Sequence, residues 1–247
     1  MFDRVDAFVR DINEIGSEAE LAEALGLISE AMVFSYFALP HHIDLPRAPR
    51  PAIPLDNYPS DWVEYFDEAK LGPSDPVHRA SHQTSVGFAW SQLPELIQLT
   101  PRDHEILAHA GRQGIGDGFT VPAHVPGEVN GSCSFATEAG QPVNEEHLPL
   151  AQLVGAFAFE AARRLSRLRA PSASPPPRLT DRQRDCLLWA ARGKSDWEIS
   201  RILGVSHETV TEHLKHARQR YDVGKRTLLA IHALFDGTLS FIDILKR

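Results

Sequence analysis

The chain has 247 residues, 43% of them hydrophobic and 23% charged, and a formal net charge of −8 at pH 7. That composition is globular and long enough for two domains. No run approaches the 18 apolar residues of a membrane span, and Cys133 and Cys186 are too few and too isolated for a disulfide framework or a zinc site.

In chain order, MFDRVDAFVRDINE repeats apolar residues every three or four positions (Phe2, Val5, Phe8, Val9, Ile12) among acids. This is an amphipathic helix and not a signal peptide, so the expected compartment is the cytoplasm. Ser17 and Glu20 form a capping box for a second helix, with Leu21, Leu25, Ile28 and Met32 on one face. VFSYFAL (33–39) reads as a strand and His41-His42 as solvated loop. Thr100-Pro101 opens a helix that ends at Gly114, and strands flank an Asn130-Gly131 hairpin turn. Asn144 caps a long helix over about 145–168, with apolar residues Leu150, Leu153, Val154, Phe157, Ala161, Leu165 and Leu168. That stripe is wider than packing on one sheet requires.

RAPSASPPPR (169–178) is rich in Pro and Ser and reads as a linker. It also divides the charge. Residues 1–177 hold 12 Lys+Arg and 24 Asp+Glu, a net of −12; residues 178–247 hold 13 and 9, a net of +4. The basic charge belongs to the small C-terminal module, and the acidity to a module that should avoid phosphate.

Four capped helices are expected in the basic module: about 181–192 behind Thr180/Gln183, 196–203 behind Ser195/Glu198 and before Gly204, one after Ser206, and about 226–235. The second and third form a helix-turn-helix, whose second helix enters the major groove. Its apolar stripe (Val210, Leu214, Ala217, Tyr221) leaves Glu208, Thr211, Glu212 and Lys215 on a groove-facing strip, with Thr209 beside it. Lys194, Lys225 and Arg226 flank the unit as candidate phosphate contacts.

In YPSDWVEYFDEAKLGPSDPVHRASHQTSVGFAW (58–90), Tyr58, Trp62 and Trp90 carry polar tips on large apolar bodies, suited to orienting a mostly apolar small molecule. Asp75 precedes Pro76. A buried carboxylate there needs a donor, either a ligand amide or a backbone N–H, since Asp-Pro is also an ordinary helix start. HETVTEH (207–213) lacks the spacing of a zinc protease, and GIGDG (114–118) leads into a strand and is no phosphate cradle. No serine, cysteine or paired-carboxylate constellation supports catalysis. No metal or cofactor is expected, and the acid pair, Asp and Lys of a phosphorylated receiver cannot be placed.

Residues 179–237 resemble the helix-turn-helix domain of the LuxR/FixJ superfamily. They share Leu179-Thr180, Gly193-Lys194-Ser195, Glu198-Ile199, Leu203-Gly204-Val205-Ser206, Thr209-Val210, His213, Val223 and Arg226. Residues 58–90 resemble the acyl-homoserine-lactone-binding domain of LuxR-type quorum-sensing receptors: Tyr-Pro-x-x-Trp, Asp-Pro thirteen residues after that Trp, and a Trp fifteen after the Asp. The resemblance implies that Trp62 donates to the lactone carbonyl, Asp75 accepts the ligand amide N–H, Tyr58 donates to the acyl carbonyl and Trp90 walls the lactone. It places Gly118 at a usually fixed glycine and gives Ser134 or Thr137 a hydroxyl role near the acyl carbonyl. Phe66 stands where the family usually has tyrosine, while Tyr65, about 100° away round the helix, should point elsewhere.

The implied protein is α+β: an N-terminal α/β/α sandwich with an antiparallel sheet (1–168), a linker (169–178) and a small all-α four-helix helix-turn-helix domain (179–247). It would be a transcription factor that binds an acyl-homoserine lactone and, as a homodimer, an inverted-repeat site on double-stranded DNA. The rivals are a solo regulator of the same fold with another small-molecule ligand and, less favoured, a phosphorylation-controlled response regulator.

Overall fold

The computed structural model describes residues 1–40, 55–126, 130–169 and 177–245, and falls into two compact units. The first comprises Met1–His124 with Val129–Pro171, the second Val125–Glu128 with Ser172–Arg247. His41-His42 and most of the expected linker lie outside the described residues.

The first unit carries a five-stranded antiparallel sheet in the order β2-β1-β5-β4-β3. The strands are β1 (Tyr36–Leu39), β2 (Leu55–Asp56), β3 (Phe88–Ala89), β4 (Ile115–Ala123) and β5 (Gly131–Glu138). Side chains alternate across it. Phe37, Leu39, Phe119, Val121, Cys133 and Phe135 share a core with α1 (Phe2–Asp11), α2 (Glu18–Ala31) and α7 (Leu148–Arg169). The other face meets α3 (Ser60–Glu68), α4 (Pro76–Ser81), the short α5 (Leu93–Leu96) and α6 (Pro101–Arg112). This is the α/β/α sandwich.

Local chemistry explains the helix starts. Ser17 Oγ accepts from Glu20 N at 3.2 Å, while the Glu20 carboxylate reaches Gly16 N at 2.8 Å. Thr100 and Asp103 cap α6 reciprocally, with Pro101 in its first turn. Asp103, buried, also receives Arg79 of α4 at 2.7 Å. Burial alone would raise the Asp103 carboxyl; the Thr100 amide and hydroxyl and the Arg79 guanidinium outweigh it and hold it below the ordinary range.

Two local expectations are corrected. The strand expected from Val33 begins at Tyr36, because Val33 sits left-handed (φ 68) at the end of α2 and Phe34 N–H bonds back to Ser29 O at 2.9 Å. A period-2 apolar pattern does not reveal that the preceding helix needs a terminator. Gly131, expected in the turn, instead pairs with Ala123 as the first residue of β5. The connection is longer than two residues, and 127–129 lie outside the described ones.

The long helix begins as a 3₁₀ turn (Glu145–His147), where Asn144 Oδ1 accepts from Glu146 N, and continues as α7. Its apolar stripe divides: Ala151, Val154, Ala158, Ala161 and Leu165 are buried, whereas Leu153 and Phe157, one turn apart, are 42% and 38% exposed.

The second unit is α8 (Asp181–Ala191), α9 (Asp196–Leu203), α10 (His207–Arg220), α11 (Arg226–Phe235) and α12 (Phe241–Leu245) around Cys186, Leu187, Ile199, Val210, Leu214, Ala217 and Leu229. Ser195 and Glu198 cap α9, which ends on Gly204 in the left-handed region (φ 66) that glycine adopts freely. The expected four helices are thus five among the described residues. α12 is too short to show a hydrophobic period. Arg192 Nε donates to Asp243 O (2.9 Å), and Ser240 caps it.

Candidate ligand cavity and nucleic-acid interface

On its second face the sheet contributes small or hydroxylated residues. Ala38 and Ser134 line a partly open cavity of about 60 Å³ with Tyr58, Trp62, Phe66, Asp75, Val77, His78, Trp90, Ile106, Ala110 and Ile115. A larger open depression of about 480 Å³, lined by Arg79, His82, Gln83, Ile97, Gln98 and Thr100, has none of the tyrosine and tryptophan donors. Its principal cation is already paired with Asp103. The chemistry lies in the smaller space.

Asp75 is 6% exposed and caps α4: Oδ1 accepts His78 N–H at 2.8 Å. Oδ2 has no hydrogen-bond partner among the described residues. Oδ1 therefore performs the capping role, and Oδ2 is the oxygen that capping leaves over. The Trp62 indole N–H and the Tyr58 hydroxyl also have no partner among the described residues. Asp56 Oδ1 accepts Tyr58 N–H at 3.3 Å and fixes the backbone there. Burial, with the Asp75 and Asp56 carboxylates nearby, pushes the Tyr58 phenol above its ordinary range, so it remains a donor.

A hydrogen-bond chain crosses the cavity floor. Trp90 Nε1 donates to Thr120 Oγ1 at 2.9 Å, and Thr120 Oγ1 lies 2.8 Å from Ser134 Oγ, its cross-strand neighbour. Indole is a donor only. Thr120 is fully buried, so its own proton goes to Ser134. Ser134 is then left with a proton to offer the cavity. The wall therefore presents three donors, on Trp62, Tyr58 and Ser134, and one acceptor, on Asp75. Gly118 does not line the space: a β-carbon there would meet Phe135 O at 2.6 Å and Trp90 Cε2 at 2.7 Å, so glycine lets the Trp90 indole lie against β4.

Thr137, proposed with Ser134, is an odd number of residues along β5 and lies on the other face. Its hydroxyl donates to Asp117 O (3.1 Å) and Gln141 O (2.7 Å). Tyr65 points away from the cavity and stacks on His109. Sequence reasoning missed Thr120, which shares a strand face with Gly118, and Ile106 and Ala110, one turn apart on α6; these spacings were available signals. Among the described residues no cluster of three or more potential ligands could hold a metal, and no helix is long and apolar enough to cross a membrane.

In the second unit Glu208, Thr211, Glu212 and Lys215 are exposed on α10, and Thr209 is half-buried within the Ser206 cap. Lys215 pairs with Glu212 at 3.1 Å, and His216 approaches the same carboxylate at 3.6 Å. The Glu208 amide and the Ser206 hydroxyl hold the Glu208 carboxyl below its ordinary range. The three flanking cations are not equivalent. Lys225 is exposed and unpaired among the described residues. Lys194 pairs with Glu198 (3.0 Å). Arg226 pairs with Asp196 (2.9 Å) and donates to Lys194 O, bracing α11 against α9. The proposed phosphate role of Arg226 competes with this brace, and residue spacing could not show the carboxylate that binds it.

A small-molecule cavity in an α/β/α unit, carried by the same chain as a helix-turn-helix unit, defines a ligand-responsive regulator of transcription. The comparisons agree. Residues 17–162 match the autoinducer binding domain and residues 177–233 the luxR family of bacterial regulatory proteins. The chain is 30% identical over 236 residues to the HTH-type quorum sensing-dependent transcriptional regulator RpaR of Rhodopseudomonas palustris, covering 94% of this chain and 93% of RpaR. It is 27% identical over 222 residues to the transcriptional activator AhyR of Aeromonas hydrophila, covering 88% and 85%. The crystal structure of Escherichia coli SdiA has the same fold (TM-score 0.68, 22% identity, 99% of each chain), as does SdiA in complex with octanoyl-rac-glycerol (0.67, 22%, 95% of each). The chain belongs to the LuxR family of quorum-sensing transcriptional regulators.

Proposed function

We propose that the cavity binds an acyl-homoserine lactone and that the protein, as a homodimer, reads an inverted-repeat operator through α10. The observation that carries the ligand is the unmatched set of polar groups: three donors and one acceptor in an otherwise apolar wall. An acyl-homoserine lactone supplies the complement, two carbonyls and one amide N–H. Trp62 takes the lactone carbonyl, Tyr58 and Ser134 the two lone pairs of the acyl carbonyl, and Asp75 Oδ2 the amide. Trp90 walls the ring, and the tail meets Phe66, Val77, Ile106, Ala110 and Ile115. Phe66 brings no hydroxyl, which favours tails without a polar group at that point.

Small-molecule pockets usually measure about 300–1,000 Å³, far above the 60 Å³ present. Occupancy therefore requires the cavity to expand. The lactone then stabilises the expanded state by mass action, about 2.7 kcal/mol at a hundredfold excess over Kd. The exposed Leu153 and Phe157 of α7 support pairing through that helix. Residues 179–247 act as the DNA-binding domain, with Lys194, Lys225 and Arg226 around a reading strip of Glu208, Thr209, Thr211, Glu212 and Lys215. The assignment places the protein in the cytoplasm, where operators are found.

A second reading, a solo regulator with a non-lactone acyl ligand, is favoured by one observation: SdiA, of the same fold, is known in complex with octanoyl-rac-glycerol. A glycerol ester brings carbonyl and hydroxyl oxygens but no amide. Thermal melts against straight, branched and aromatic acyl-homoserine lactones and against monoacylglycerols separate the two. A concentration-dependent rise with one lactone class supports the first reading. A rise with glycerol esters alone replaces it with the second.

A further inference from the structure

Trp62 has no polar anchor among the described residues. Its indole N–H has no partner among the described residues, so ring packing decides where that bond points. Among the described residues three rings lie beside it: Phe66 at 5.8 Å between centroids, Tyr65 at 6.0 Å and His109 at 6.1 Å. Phe66 and Tyr65 belong to α3, the same helix as Trp62, and move with it. His109 comes from α6. It lies flat on Tyr65, with centroids 3.8 Å apart and planes within 9°. Arg112 and Gln113 approach its two ring nitrogens at 3.4 and 3.5 Å and steady its edge.

We propose that the Tyr65–His109 stack is a clamp between α3 and α6 that sets the direction of the Trp62 indole, and so the strength of the hydrogen bond the cavity offers a ligand carbonyl. Neither residue lines the cavity, so both are positioning residues. The effect is large because a hydrogen bond prefers an angle above about 150° and weakens steeply below about 120°. An indole free to swing by a few tens of degrees loses the bond without leaving its place. The clamp also joins two helices that both line the cavity. This inference rests on the lactone reading of the cavity.

The test uses the full chain with ¹⁵N-labelled tryptophan, observed by its indole N–H resonances; loss of one resonance in Trp62→Phe identifies Trp62. His109→Ala should shift or broaden the Trp62 resonance and leave that of Trp90, anchored on Thr120, in place. It should weaken binding of the best lactone from the melt panel by about fivefold to tenfold, as loss of one aromatic pair predicts. His109→Phe should restore both, and Tyr65→Leu should repeat the loss if His109→Ala does not fold. A Trp62 resonance unmoved by removal of either ring, or no rescue by phenylalanine, overturns the clamp. The resonances are read without ligand, so failure of every lactone to bind would remove the proposed function while still deciding the clamp.

Discussion

On one face of the five-stranded sheet, Phe37, Leu39, Phe119, Val121, Cys133 and Phe135 interlock with α1, α2 and α7. On the other, the alternate residues of the same strands include Ala38, Gly118, Thr120, Ser134 and Ala136. Both faces are largely buried, yet among the described residues only the second gathers the tryptophan, tyrosine, serine and carboxylate groups around a cavity. The period-2 alternation lets one strand set supply a packed core and a cavity floor together. Volume is concentrated where stability is needed, and small or hydroxylated side chains lie where something else must fit.

Substitutions can break this division at known places. The largest effect is expected from Phe135→Ala, fully buried on the packed face: about 3–5 kcal/mol of stability, read from urea unfolding. A loss near 1 kcal/mol would mean the face collapses around the gap. Asp75→Asn comes next. Asparagine is also a good cap, so stability should change little, while loss of the charged acceptor should cost about 1.5–3 kcal/mol of lactone affinity by calorimetry. Asp75→Ala should add about 1 kcal/mol of destabilisation from the lost cap, so equal stability loss in both variants would make Asp75 structural only. Ser134→Ala should cost about 0.5–1.5 kcal/mol of affinity and leave the melting temperature of the ligand-free protein nearly unchanged.

The smallest effect belongs to the second unit and is a control. Ser195 N–H, then Lys194 and the Ser195 hydroxyl, hold the exposed Glu198 carboxyl down at about 2, from 4.5. A depressed carboxyl stabilises fully above its unfolded value and loses that contribution as pH falls through its folded value. Glu198→Gln should therefore flatten the acid dependence of stability between about pH 4.5 and 2. No flattening would show that the cap contributes nothing.

Helices with both a period and a cap were legible in the sequence: α2, α6, α8, α9 and α10 start at the residues whose side chains cap them. Elements defined by tertiary contact were not. β2 and β3 are two residues each, and α12 is held through Asp243 by Arg184 and Arg192, distant in sequence. In the cavity, the spacing of Trp62, Asp75 and Trp90 pointed to residues that the fold gathers. It could not divide Asp75 into two oxygens, nor separate Ser134 from Thr137 until the strand register assigned their faces. Arg226 teaches the same lesson in the other unit, because its partner Asp196 lies thirty residues earlier.

That same Asp196 bears on the proposed reading of DNA through α10. Its second oxygen receives the Thr211 hydroxyl at 3.3 Å, and His207 O shares that proton at 3.1 Å. The Thr211 hydroxyl proton is thus engaged within the domain, and the methyl is the part of the side chain left without a hydrogen bond. A methyl carries no donor or acceptor pattern; it recognises its like, the C5-methyl of thymine, by close packing. Replacing single thymines of the operator by deoxyuridine removes only that methyl, and a base pair sensitive to the exchange would mark where Thr211 stands.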